Sequence, residues 1–264
     1  MTRMTQIVKR SVAALLPASQ AEGLRILLYH AVDAPTAEDL LSLRVSPEAF
    51  CQQMTWLRDE GYSVVSLSAV GQGWQGPSGR GAVAITFDDG FRSQETAAHV
   101  LETLKFPATF FVVPQFLDGT EGATGYWRGW GYLDWQDVKR LAARGFDIGA
   151  HSVSHAILTH CTPETLRDEV SGARTQLTER LGRPIHSFSY PHGRFDVRVQ
   201  AAVRDAGYAM ACTSQYGVNQ PPWSWWALRR IEIIGGDRLD DFRRKVEGRY
   251  DWVGTVQQWR AADA

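Results

Sequence analysis

The chain has 264 residues, a length that one large domain fills and that α/β barrels reach undivided. Hydrophobic residues at 44% and charged residues at 22% are ordinary for a folded chain, and a formal net charge of -1 removes the electrostatic case for nucleic acid as a main partner. No apolar run reaches the ~18 residues of a spanning helix, and the three scattered cysteines (Cys51, Cys161, Cys212) make neither a CxxC pair nor a disulfide framework, so each is expected to be a small buried hydrophobe.

In chain order, residues 1–10 are basic and residues 11–21 (SVAALLPASQA) hold a short apolar run closed by Pro17. That run is short for a secretory h-region of about 7–15 residues. The absence of a strong signal peptide favours the cytoplasm, with an extracytoplasmic site acting on exported polymer as the alternative. Read as a helix, the segment places Ile7, Val8, Val12, Leu15 and Leu16 near one face and Lys9 and Arg10 elsewhere. Such a face can make a peripheral membrane contact or pack on the domain behind it, and packing is the simpler expectation. Residues 1–24 are thus an N-terminal extension and 25–264 the main domain.

From residue 25 onward, short apolar runs alternate with amphipathic segments, the pattern of parallel strands joined by helices. Strands are expected at 25–29 (RILLY), 62–67, 82–87 (AVAITF), 108–113 (ATFFVV), 146–150, 185–190, 208–212 and 231–234. Ser46-Pro47-Glu48 and Thr162-Pro163-Glu164 are helix openers, with a capping hydroxyl, proline at the first helical position and an acid at the positive end. Further helices are expected at 93–104, 134–144 and 196–206, with a charged one near Leu239. Residues 114–133 form a long loop rich in glycine and aromatics, and loops of that length in compact domains are usually functional. The expected architecture is a distorted, even incomplete, (β/α) barrel of about seven parallel strands, with its chemistry at the strands' C-terminal ends.

The reactive residues fall at those ends. His30 follows RILLY, Asp88 and Asp89 follow AVAITF, His151 follows the 146–150 strand and His192 follows the 185–190 strand. Asp88-Asp89-Gly90 is either a solvated turn or a carboxylate pair held with a cation, since two adjacent carboxylates do not enter a dry interior unpaired. In His151-Ser152-Val153-Ser154-His155, two imidazoles four apart share one face if the segment is a helical turn. With Asp89 they make a two-histidine, one-carboxylate set that holds a divalent ion and leaves positions open; zinc is the default, and cobalt, nickel or iron(II) also fit. Asp88 is then placed to take a proton from water beside that ion.

TFDDG (86–90), HSVSH (151–155) and FSYPHGRF (188–195), in this order, resemble the three main motifs of the polysaccharide deacetylases, carbohydrate esterase family four, the NodB-like domain. LLYHAV (27–32) and ATFFVV (108–113) are similar too. The resemblance implies a barrel that hydrolyses acetyl groups, usually N-acetyl on amino sugars, with a carbohydrate as partner. It implies Asp88 as catalytic base, Asp89, His151 and His155 as metal ligands, and the backbone N–H of His192 as an oxyanion donor. Two departures stand out: Ser189 occupies the place where many members carry arginine, and no histidine follows His192. A subgroup similar to the poly-N-acetylglucosamine deacetylases takes its acid from an early Tyr-His and its orienting arginine from before a late strand. Tyr29-His30 and LRRIEI (228–233) match, which implies His30 as general acid and Arg230, or else Arg229, on Asp88. Rival readings are an O-acetyl esterase, a non-sugar amidase (on a cyclic ureide, for example), and a sugar-binding domain with a decayed site. Of ten tryptophans, Trp127, Trp130 and Trp135 by the long loop and Trp223, Trp225 and Trp226 before the last strand are expected on the catalytic rim, or else in packing.

Overall fold

The computed structural model describes residues 3–19, 23–37, 39–74, 76, 81–119 and 130–262, with side chains described between residues 6 and 257. The strands are β1 (Leu24–Tyr29), β2 (Ala31–Val32), β3 (Arg44–Val45), β4 (Ser63–Val64), β5 (Ala82–Phe87), β6 (Thr109–Val112), β7 (Asp147–Ala150), β8 (Ser187–Ser189), β9 (Met210–Cys212) and β10 (Arg230–Glu232). The helices are α1 (Arg3–Leu15), α2 (Pro47–Asp59), α3 (Leu67–Gly71), α4 (Gln94–Leu104), α5 (Pro114–Leu117), α6 (Trp135–Ala143), α7 (Pro163–Leu181), α8 (Val197–Asp205), α9 (Leu239–Val246) and α10 (Trp252–Ala262).

Seven parallel strands run in the order β10-β1-β5-β6-β7-β8-β9. The seam between β9 and β10 is drawn together by a parallel bridge, Cys212 to Leu228, and by the Leu228 N–H donating to Ala211 at 2.9 Å. The result is a nearly closed (β/α) barrel, as the alternation of runs implies. β1 and β5 are buried at all six positions, because one face meets the barrel interior and the other meets helices. Gly149 in β7 is required by this packing: a Cβ there would lie 2.4 Å from the Phe111 ring that fills the interior.

The caps follow the sequence. Ser46 accepts the Ala49 N–H, Thr162 accepts that of Thr165, and Asp134 forms a capping box with Asp137. Gly182 ends α7 at φ 64°. One expected strand is cut short. The 62–67 segment pairs only at Ser63 and Val64, because the Ser66 hydroxyl accepts the Ala69 N–H and starts α3 instead. The cysteines also differ from expectation: Cys212 is buried, but Cys51 is exposed and Cys161 half-buried, since helices α2 and the turn before α7 turn those positions outward; all three are free thiols.

Candidate active site

Alternation along β5 decides what enters the barrel. Ala82, Ala84, Thr86 and Asp88 share the inward face, so the chain brings its first carboxylate in at the C-terminal mouth. On β10 the inward position is Arg230, whose side chain is fully buried. Its guanidinium grips Asp88 with both ends, Nη1 to Oδ1 at 2.8 Å and Nη2 to Oδ2 at 2.6 Å. Nε donates to the Thr213 carbonyl at 2.8 Å and Nη2 to the Ser189 hydroxyl at 2.9 Å, and that hydroxyl donates on to Asp88 Oδ2 at 3.0 Å. Arg229 is excluded from this role by the same alternation; it lies against Gly217 instead. Burial alone would raise the Asp88 pKa, but the Arg230 charge, His151, the Arg230 hydrogen bonds and His30 prevail and hold it below the usual carboxylate value.

Asp89 leaves the strand at φ 73°, with Gly90 following at 71°; a Cβ on Gly90 would also crowd Val112 at 3.3 Å. This tight turn aims the Asp89 carboxylate at the two histidines. His151 Nε2 and His155 Nε2 each stand 3.3 Å from Asp89 Oδ1, and the three ligand atoms lie within 4.8 Å of one another. His151 Nδ1 stands 2.8 Å from the Ser189 carbonyl, which assigns the ring proton to Nδ1 and leaves the Nε2 lone pair facing Asp89. Asp89 Oδ1 is buried without a hydrogen-bond partner. Converging acceptors around an orphaned carboxylate oxygen are what a divalent cation satisfies, so these residues fit one. The ionisation of the site agrees. Burial would lower the His151 pKa, yet Asp88 and Asp89 raise it; Asp89, despite burial, is held well below its usual value by the neighbouring His151 and His155.

The HSVSH segment is not the helical turn expected from its spacing. Ser152 and His155 are left-handed, at φ 58° and 62°, and the Ser152 hydroxyl accepts the His155 N–H at 2.9 Å. The turn is held from behind by Glu169 of α7, whose carboxylate accepts the N–H groups of Val153 and Ser154 at 3.0 and 2.9 Å and the Ser154 hydroxyl at 2.5 Å. Sequence reasoning missed Glu169; its only signal is an acid on the face of α7 adjoining Val170 and Ala173. Gln94 was missed too. It is fully buried at the start of α4, and its amide donates to the carbonyls of His30 (2.9 Å) and Asp88 (2.6 Å), tying the ends of β1 and β5 together.

His30 lies beside Asp88 across the β1–β5 ladder, where the Asp88 N–H donates to Tyr29 at 3.0 Å. Its Nδ1 is buried without a partner. His192 sits in the short 3₁₀ turn Pro191–Gly193 at φ 59°, its ring centroid 4.5 Å from that of His155. Burial, then the neighbouring His155 and His151, push its pKa down to about 4. All seven residues singled out from the sequence therefore gather at one mouth of the barrel.

Of the tryptophans expected there, the rest of those described do not join Trp130. Trp130 lies on the rim, its ring 4.9 Å from Phe91 and 4.1 Å from the Arg44 guanidinium. Trp135 is 8% exposed and bonded to Asp118, so it packs rather than lines the mouth. Trp223 and Trp225 stack at 5.2 Å and lie with Trp74 against Leu24, Leu67 and Met210 at the opposite, N-terminal end, because the residues before a barrel strand enter from that end. Trp226 donates to the Tyr208 carbonyl among the outer helices. Trp127 lies outside the described residues.

A parallel β/α barrel with paired aspartates, two histidines and a clamped arginine at its C-terminal mouth is the scaffold of a hydrolase. Residues 75–211 match the polysaccharide deacetylase family model, about half of the chain, and the chain belongs to that family, the hydrolases of carbohydrate esterase family four. YxkH of Bacillus subtilis (strain 168), a protein named for the same family, is 25% identical over 251 residues, covering 93% of this chain and 84% of its own. The poly-beta-1,6-N-acetyl-D-glucosamine N-deacetylase of Escherichia coli (strain K12) is 24% identical across 85% of this chain; the match spans 38% of that protein's length. The Streptococcus pyogenes deacetylase PplD, solved with acetate, shares the fold at a TM-score of 0.75 and 22% identity, covering 84% of this chain and 97% of that one.

Proposed function

We propose that this protein removes N-acetyl groups from amino sugars of a poly- or oligosaccharide, releasing acetate, with a divalent metal held by Asp89, His151 and His155. The observation that carries this reading is the bidentate Arg230–Asp88 clamp standing beside those three ligands. The names of relatives that act on N-acetylglucosamine polymers support the substrate class. Zinc is the first expectation for a two-histidine, one-carboxylate set, with cobalt, nickel or iron(II) as substitutes.

When bound, a divalent ion would polarise the acyl carbonyl and acidify water in its reach. The chain supplies the rest. Asp88 stays ionised in a buried place because Arg230 neutralises it, and Arg230 with Ser189 fixes its carboxylate so that one direction is left for a proton from the attacking water. His30, one strand away, is placed to give a proton to the leaving sugar amine. The backbone N–H of His192 is the donor for the tetrahedral oxyanion, an interaction worth about 3–4 kcal/mol in acyl transfer.

The test is acetate release from N-acetylglucosamine oligomers by protein stripped of metal and resupplied with zinc or cobalt. Release that returns with metal and is absent in Asp88→Asn is the expected result. Release only from O-acetylated sugars would move the reading to an esterase. No turnover and no metal uptake would leave a sugar-binding domain.

A further inference from the structure

The seam between β9 and β10 parts toward the C-terminal end of the barrel. The strands meet at the Cys212–Leu228 bridge, and the Arg230 N–H still reaches across to the Gln215 carbonyl at 2.9 Å. Beyond that bond lies a cavity of about 160 Å³, lined by Ser214 and Tyr216 on one side and by Glu232 and Ile234 on the other. At ~30 Å³ per water this is the volume of about five waters, room for one sugar ring and not for an oligomer. Two of these walls adjoin the catalytic centre. Ile231 and Ile233 belong to the outer core with Phe242 and Val246, so alternation puts Glu232 on the face of Arg230, two residues nearer the mouth. Across the seam, Ser214 stands directly behind the turn that carries His192: a Cβ on Gly193 would lie 2.5 Å from its hydroxyl oxygen.

The remaining wall is α1, which brings Gln6, Lys9 and Arg10 to the cavity. Arg10 fixes the helix there, pairing with Asp241 at 3.0 Å and donating to the Gly236 carbonyl. The helix thus turns its polar side inward and leaves Ile7, Val8 and Leu15 exposed, an orientation that forgoes the apolar burial a merely packing helix would take. The lining selects the class of ligand. Lys9, Arg10 and Lys245 are balanced by Glu232, Asp237 and the Asp241 that holds Arg10, so the site favours no net charge. Glu232 is half-buried, and its carboxylate has no hydrogen-bond or ion-pair partner among the described residues. Its backbone is pinned by the Tyr216 hydroxyl and the Lys245 ammonium, which both donate to its carbonyl, at 3.0 and 2.7 Å. A fixed carboxylate in such a place is completed by hydroxyl donors, and the Ser214 hydroxyl and Gln6 amide beside it offer the mixed donors and acceptors that a neutral sugar uses.

We infer that the cavity at the β9–β10 seam binds a neutral sugar unit flanking the one that is deacetylated, with Glu232 accepting from its hydroxyls, and that α1 is part of the substrate site. The inference rests on the reading of the centre as a glycan N-deacetylase and adds to it a second subsite with its own specificity residue.

The experiment compares the metal-loaded full chain with Glu232→Gln and Gln6→Ala on N-acetylglucosamine oligomers and on nitrophenyl acetate, an ester without a sugar. Glu232→Gln should raise KM for the oligomers about tenfold, keep kcat within about twofold and leave hydrolysis of the ester unchanged. Gln6→Ala should raise the same KM by a smaller factor, about twofold to fivefold, since it removes an uncharged partner. An unchanged KM in both variants would overturn the inference. So would an equal loss on oligomers and ester, which would mean that Glu232 acts through Arg230 on the catalytic centre. Isothermal titration with the same oligomers separates the subsite from the reading it rests on. Binding that Glu232→Gln weakens, with no acetate released by the native protein, would keep the sugar site and sink the N-deacetylase. Oligomer binding that is the same in the native protein and both variants would sink the subsite alone.

Discussion

The two ends of the barrel are built from the same strands and hold opposite chemistry. At the N-terminal end Leu24, Ile26, Ala82, Ala84, Met210 and Leu228 fill the interior under Trp74, Trp223 and Trp225. At the C-terminal end, Asp88, Asp89, His151, Ser189 and Arg230 are each 3% exposed or less. The first end needs only hydrophobes of the right volume. The second is tolerated because its charges have partners, Arg230 for Asp88 and two imidazoles for Asp89. One end supplies stability and the other spends some of it on reactivity, so substitutions at the two should separate cleanly in what they change.

The largest expected effect is at the polar end. Asp88→Asn should lower kcat by about 10²–10⁴-fold while metal content by elemental analysis stays at one equivalent, since Asp88 is proposed as base and not as ligand. A variant that lost its metal as well would undo that division of roles between neighbouring aspartates.

Arg230→Ala should follow, with a loss of about 3–5 kcal/mol in denaturant unfolding, because it strands a buried carboxylate. Arg230→Lys keeps a charge but not the fork, and should retain more stability than activity. The pH dependence has a definite sign. The Asp88 pKa is depressed in the folded protein, so the stability it contributes is present above the unfolded carboxylate value and is lost as pH falls through the folded one. Removing the Arg230 charge raises the Asp88 pKa, so the acid limb of kcat/KM should move to higher pH in Arg230→Lys if the ammonium lies farther from Asp88. An unmoved limb would mean that Arg230 does not set the charge of the base.

A smaller effect is expected one layer out. Glu169→Gln keeps the shape of the clamp on Val153 and Ser154 but weakens its acceptors, and zinc affinity by competition titration should fall about 10–100-fold. The smallest belongs to the apolar end: Trp223→Ala should cost about 2 kcal/mol of stability and leave KM unchanged. A raised KM there would mean that the indole stack meets substrate after all, and the contrast between the ends would weaken.

Much of the site was legible because barrels place chemistry where strands end. Asp88, Asp89, His151, His30 and His192 each follow an apolar run, and counting by two along β5 and β10 chooses Arg230 over Arg229 once strand starts are known. Spacing misled where local conformation was irregular. HSVSH has a helical interval, yet its histidines meet through left-handed residues held by Glu169, a contact 14 residues from His155 that periodicity does not encode. Of the tryptophans before β10, expected at the mouth or else in packing, Trp223 and Trp225 pack at the far end and Trp226 packs among the outer helices, since residues before a barrel strand enter from its N-terminal side.

The sequence by itself determined the alternation of buried runs and capped helices, and with it the barrel and the identity of its polar residues, because burial and capping are local, periodic requirements. Only the tertiary structure decided the partners: Arg230 rather than Arg229 on Asp88 from 142 positions away, Ser189 on both, Gln94 across two strand ends, and the outward turn of α1. Amphipathicity shows that a helix has an apolar face. Which way that face points depends on what the rest of the fold leaves for it to cover, and beneath α1 the barrel presents Asp241 and a polar cavity.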